Sequence, residues 1–128
     1  MEFSKVVNLR LINPEKLKIE MVHGSQNSYT VWLELDSAPD NVWSGIFYDE
    51  LGKSIRIGEA MINEACITVL TSPEDFKRKI DLIRKVVDYT NQQVDQHNKK
   101  VEQEREVQRR REAKGEEDIK KMREQLKQ

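Results

Sequence analysis

Val7, Leu9 and Leu11 alternate with Asn8 and Arg10 across residues 5–12, a period of two that predicts a strand with one buried face. The same period returns over residues 17–22, where Leu17, Ile19 and Met21 oppose Lys18 and Glu20. A third run sets Tyr29, Val31, Leu33 and Leu35 against Thr30, Trp32 and Glu34. Asn13-Pro14-Glu15 and the stretch His23–Ser28 separate the three runs, and both are rich in residues that favour turns. Three half-apolar strands on short connections predict an antiparallel meander.

The period then changes. Trp43, Ile46, Phe47 and Leu51 stand at i, i+3, i+4 and i+8, which predicts a short helix with Ser37 as its cap, Asp40 three residues on and Gly52 just past its end. Residues 54–60 and 64–70 read as two further strands, with Ile55, Ile57, Ala65, Ile67 and Val69 inward and Met61-Ile62-Asn63 as their connection. The expected fold is α+β: a single five-stranded antiparallel or mixed sheet in the order β-β-β-α-β-β-α, with helices on one face.

The last element is a long C-terminal helix. Ser72-Pro73-Glu74-Asp75 supplies a hydroxyl cap, a proline at the first helical position and two carboxylates in the first turn. No proline follows, and Gly115 is the only later glycine. Before Thr90 the apolar residues of this segment cover about half of the helix surface, as burial against a sheet requires. Beyond Thr90 they narrow to Val94 and Val101, which continue the line of Ile80 and Val87 at seven-residue spacing, with Ile83, Thr90 and His97 between them. A five-stranded sheet is about 24 Å across. At about 1.5 Å per residue the helix clears it near residues 89–94. Val94 and Val101 are therefore expected to protrude and to need a partner helix.

Two regions follow from this: residues 1–93 as a small α+β domain that includes the start of the helix, and residues 94–128 as a charged helical extension, with Gly115 the place where it can break. Glu104, Gln108, Glu112 and Gly115 interrupt the seam, and Ile119, Met122 and Leu126 return to one face near the end.

Charge agrees with this division. Residues 1–72 carry 6 Lys/Arg and 10 Asp/Glu, a net of −4, and the remainder carries 16 and 13, a net of +3. Lys77-Arg78-Lys79 and Arg109-Arg110-Arg111 are broken up by acidic neighbours, so nucleic acid is the weaker expectation for a partner. One cysteine, Cys66, leaves no intrachain disulfide and no cysteine-based metal site, and His23 and His97 lack ligand spacing. No apolar run approaches the roughly 18 residues of a membrane span, and the N-terminus does not read as a signal peptide, so a cytoplasmic protein with no membrane partner is expected. No nucleophile elbow, phosphate loop or dinucleotide fingerprint is present.

The sequence thus points to a non-enzymatic assembly or interaction protein, with no catalytic residues, metal or cofactor. Its long helix would mediate homo-oligomerisation or docking to a helical partner through Ile80, Ile83, Val87, Val94 and Val101. The alternative is a module that binds a nucleotide or single-stranded nucleic acid on the open sheet face, where Trp32 is expected beside Arg10, Lys18 and Arg56. Trp43, Phe47 and Phe76 are the expected core anchors.

Overall fold

Period-two segments pair and the helical stripes cover them, but with one strand fewer than the sequence suggests. The computed structural model describes residues 1–56 and 58–127. It contains β1 (Lys18–Met21), β2 (Tyr29–Glu34), α1 (Asn41–Leu51), β3 (Ala60–Asn63), β4 (Cys66–Thr71) and α2 (Phe76–Leu126). The four strands form one antiparallel sheet in the order β1-β2-β4-β3. The protein is therefore α+β with a four-stranded sheet and a long C-terminal helix.

The missing strand has a physical cause. Residues 5–12 and 17–22 do not form two neighbouring strands; they lie end to end along one side of β2. Leu9 bridges Leu35, while Lys18 stands opposite Trp32. The residues between Arg10 and Leu17 loop out of the ladder. Upstream, the backbone of Val7 bonds to a side chain rather than a strand: Asn91 Oδ1 accepts from the Val7 N–H at 3.1 Å, and its Nδ2 donates to the Val7 carbonyl at 2.9 Å.

Three smaller expectations shift as well. Asp40, not Ser37, caps α1, its carboxylate accepting from the Trp43 N–H at 2.9 Å. Of the strand expected over residues 54–60, the described residues 54–56, 58 and 59 lie in no strand and Ala60 opens β3, which also takes in Met61-Ile62-Asn63, expected as a connection. Ile57 falls outside the described residues. The Ser72 hydroxyl still accepts from the Asp75 N–H at 3.3 Å, but the regular helix begins at Phe76 and runs unbroken through Gly115.

The chain divides into two compact units, Ser4–Asp95 and Met1–Phe3 with residues 96–128. In the first, one face of the sheet (Val31, Leu33, Ile67, Val69) packs with Trp43, Phe47 and Leu51 of α1 and with Ile80, Ile83, Val86, Val87 and Val94 of α2. Both helices thus cover the same face. Trp43 and Phe47 stack at 5.0 Å between ring centroids in the middle of this core, and Phe76 is partly buried at its rim. In the second unit residues 96–126 are helical. His97 Nε2 donates to the Glu2 carbonyl at 2.7 Å, and the Arg105 guanidinium lies 4.3 Å from the Phe3 ring centre. Positions 97, 101 and 105 share a helix face, so residues 1–3 lie across Val101.

Candidate interaction surfaces

The five residues expected to form the oligomerisation seam are covered within the chain. Ile80, Ile83, Val87 and Val94 belong to the core of the first unit, and Val101 is only 1% exposed. The uncovered apolar surface that the expectation relied on is therefore not at these positions. The helix keeps its cover past the point expected because the N-terminal segment is not a strand. Val7 joins the core that holds Val94, and residues 1–3 take the place of a partner at Val101.

Asn91 makes this arrangement possible. Besides its two bonds to Val7, its Oδ1 accepts from the Trp43 indole N–H at 2.8 Å, and its Nδ2 donates to Asn8 Oδ1 at 3.0 Å. One buried amide thereby ties α2, α1 and the N-terminal segment together. Asp40 makes a second tie, accepting from the Ser4 hydroxyl at 2.8 and 2.9 Å and from the Lys5 N–H at 3.1 Å. Burial pushes the Asp40 carboxyl up. The donors of Trp43, Ser4, Lys5 and Val42 outweigh that and hold it below its ordinary value near 3.8. Lys79, almost fully buried, donates to the Leu70 carbonyl at 2.7 Å and pairs with Glu59 at 3.7 Å, closing the passage from β4 into α2. Neither Asn91 nor Lys79 carries a pattern in sequence that marks it; an asparagine within an apolar helical stripe is the only trace.

The apolar surface left uncovered on α2 lies further along. From Glu102 to Leu126 no residue is buried, and Ile119, Met122 and Leu126 are 51%, 60% and 89% exposed. The three stand at i, i+3 and i+7 and share a face. Ion pairs hold the surrounding helix: Arg109 and Arg110 to Glu106 at 3.5 and 3.3 Å, and Lys121 to Glu117 at 3.4 Å.

On the open face of the sheet, three of the four residues expected around a ligand come together. Trp32 stands across from Lys18, whose Nζ lies 4.3 Å from the indole centre. Arg10, Lys16 and Lys18 line a concavity of about 370 Å³ with Trp32, Glu34 and Cys66. Arg56 is not among them: it lies in the loop after α1, near Tyr48 and Gly52, because the strand expected to carry it does not form. Glu34 sets a negative charge against the basic residues, and the Lys18 amine already covers the ring. Cys66 is half-buried. His23 is exposed in the β1–β2 loop.

Among the described residues no cluster of three or more His, Cys, Asp or Glu side chains is arranged to hold a metal ion, and no helix is long and apolar enough to cross a membrane. Comparison with protein-family models, curated proteins and solved structures finds no match. The structure defines the class, an α+β protein with one antiparallel sheet and a long C-terminal helix.

Proposed function

We propose that the chain is a non-enzymatic assembly protein in which the second half of α2 pairs in parallel with the same segment of a second copy. The observation that carries the reading is the bare helix from Glu102 to Leu126, with Ile119, Met122 and Leu126 uncovered on one side. Placing Ile119 and Leu126 at heptad position a and Met122 at d puts Glu104, Arg111 and Asp118 at g and Arg109, Glu116 and Arg123 at e. In a parallel pair each g position faces the e position five residues on. Glu104 then meets Arg109, Arg111 meets Glu116 and Asp118 meets Arg123, all of opposite sign. An antiparallel pair that kept Ile119, Met122 and Leu126 in contact would be centred near Met122 and would overlap only the end of the helix, leaving the Glu104–Arg109 and Arg111–Glu116 pairs unmade. Arg105, Gln108, Glu112 and Gly115 at the upstream a and d positions confine the apolar contact to the last heptad, so the pairing is weak and reversible.

Oxidative cross-linking tests the reading. In a full-length Cys66→Ser background, Met122→Cys at the seam should form an intermolecular disulfide readily, whereas Glu124→Cys on the outer face should not. Equal cross-linking at both positions, or none at either, would count against it. A helix of another protein in place of the second copy would give a seam cysteine that stays reduced alone and is protected in the complex.

The Lys18–Trp32 contact and the basic concavity beside it favour one second reading, a binding site for a nucleotide or single-stranded nucleic acid. Trp43 is fully buried and Trp32 is not, so indole fluorescence reports on this face. Quenching by an oligonucleotide at low salt, abolished at high salt, supports this reading; no change removes it.

A further inference from the structure

β1 is an edge strand, and all four of its residues are exposed. Its alternation leaves Ile19 49% and Met21 73% exposed on the face that elsewhere carries the core. Ile19 also borders an apolar groove of about 280 Å³ with Tyr29, Phe76 and Pro73. Exposed apolar side chains on an open sheet edge are a template for another strand.

The direction of the backbone groups fixes which pairings are open. The Val22 N–H donates to the Ser28 carbonyl at 3.0 Å, and the register pairs Glu20 with Thr30 and Lys18 with Trp32. Residues 18, 20 and 22 therefore turn their N–H and C=O groups toward β2, and Ile19 and Met21 turn theirs outward to the free edge. In the loop before β1, Leu11, Ile12, Asn13 and Lys16 wall the concavity on the Trp32 face.

We infer that two copies of the chain join edge to edge through β1, antiparallel and centred on Ile19. In that register the outward groups of the two Ile19 residues bond to each other. Leu17 stands opposite Met21 of the second copy on the apolar face, and Lys18 stands opposite Glu20 of the second copy on the other. The two Lys–Glu pairs fall at the non-hydrogen-bonded positions, where side chains are closest. The neighbouring registers are excluded by charge, because one places Glu20 against Glu20 and the other Lys18 against Lys18. The stretch Leu17–Met21 reads apolar, positive, apolar, negative, apolar, so it is its own antiparallel complement, which selects a second copy over an unrelated strand. This pairing is independent of the α2 reading and would extend the sheet from four strands to eight.

The test is a charge swap, made in the full chain carrying Ile119→Glu, Met122→Glu and Leu126→Glu so that pairing through α2 cannot contribute. Sedimentation velocity up to about 0.5 mM, a range suited to a small interface, should show a dimer with β1 unaltered. Lys18→Glu alone sets Glu against Glu twice and Glu20→Lys alone sets Lys against Lys twice, so each should weaken the dimer about tenfold or more. Mixed in equal amounts, the two variants have complementary edges and the dimer should return. Strand damage in either variant would not be repaired by mixing, so the recovery separates pairing from misfolding. A monomer at every concentration with β1 unaltered, a dimer indifferent to both substitutions, or failure of the mixture to recover would each overturn the inference.

Discussion

Removal of the Asn91 amide tests what holds this fold together. Asn91→Ala would orphan the N–H and C=O of Val7, which is 1% exposed, and the indole N–H of Trp43, which is 0% exposed. Each buried polar group left without a partner costs about 1–3 kcal/mol. The space vacated by the amide can admit a water that satisfies one of the three. Two remaining orphans, together with the lost side-chain packing, put the loss at about 3–5 kcal/mol, a large share of the roughly 5–15 kcal/mol typical of a whole domain. Asn8, exposed, can turn to solvent and adds little.

Urea unfolding followed by Trp fluorescence and by far-UV circular dichroism measures this directly, with Gln92→Ala on the exposed side of the same turn as the control. With a slope of about 1–3 kcal/mol per molar urea, the Asn91 variant should unfold more than about 1 M earlier while the control barely moves. Asn91→Asp sharpens the test. It keeps an acceptor for Val7 and Trp43 but sets a carboxylate oxygen against the Val7 carbonyl, which raises the folded-state pKa of the new acid. Its deficit relative to wild type should therefore grow as pH rises from about 4 to 7 and shrink toward acid, where the protonated carboxyl can donate. A loss under about 1 kcal/mol for Asn91→Ala, or an Asp deficit independent of pH, would refute the account of Asn91 as the tie between α1, α2 and the N-terminal segment.

Three further outcomes are expected. Asp40→Asn keeps a good helix cap but loses the charge that strengthens the bonds from Ser4, Lys5 and Trp43, and should cost about 1 kcal/mol at neutral pH. Because the Asp40 carboxyl sits below its ordinary value near 3.8, the stability it supplies is present above that value and lost as pH falls through the depressed one, so the two proteins should converge below about pH 4 in acid-unfolding curves. Phe3→Ala removes the ring under Arg105 and part of the cover over Val101, and should lower stability by about 0.5–1 kcal/mol with faster amide exchange around residues 97–105. Gly115→Ala meets no atom within 4 Å of the added methyl and should raise helicity at 222 nm, with about 1 kcal/mol gained locally.

What the sequence made legible, and what it hid, follows from the range of the interactions concerned. The alternation of Val31, Leu33, Ile67 and Val69 and the helical spacing of Trp43, Phe47 and Leu51 are local, and they placed β2, most of β4, α1 and the centre of the core correctly, whereas Leu11, Ile19 and Met21, expected on the buried face, are exposed, and Ala65, expected inward, lies in a turn. The β3–β4 hairpin was misplaced because its turn is Glu64-Ala65, with Glu64 at φ 54°, where a glycine or asparagine would have marked it. Residues 5–12 alternate like a strand, yet Val7 gives its backbone to an amide 84 residues away, and nothing local signals that. The same long-range event covers Val94, so one misread segment accounts both for the fifth strand and for the seam placed at Val94 and Val101. On the open face, Trp32, Lys18 and Arg10 were found because cross-strand neighbours follow from register; Arg56 was lost with its strand.

The energetics of α2 past Val101 bear on why the exposed helix is there at all. Its polar pairs, among them Glu106 with Arg109 and Arg110, Gln108 with Glu112 at 3.1 Å, and Glu117 with Lys121, contribute about 0.2–0.5 kcal/mol each. Four of them come to about 1–2 kcal/mol, and Gly115 removes about 1 of that. What remains is small, so surface pairs add little net stability to this part of the helix. Val101 and the N-terminal residues clamp one end, which removes the cost of nucleating a first turn. Ile119, Met122 and Leu126 sit at the other end, where added burial acts on a helix already started. Burial of Ile119, Met122 and Leu126 would therefore add more to the order of this segment than its surface pairs do.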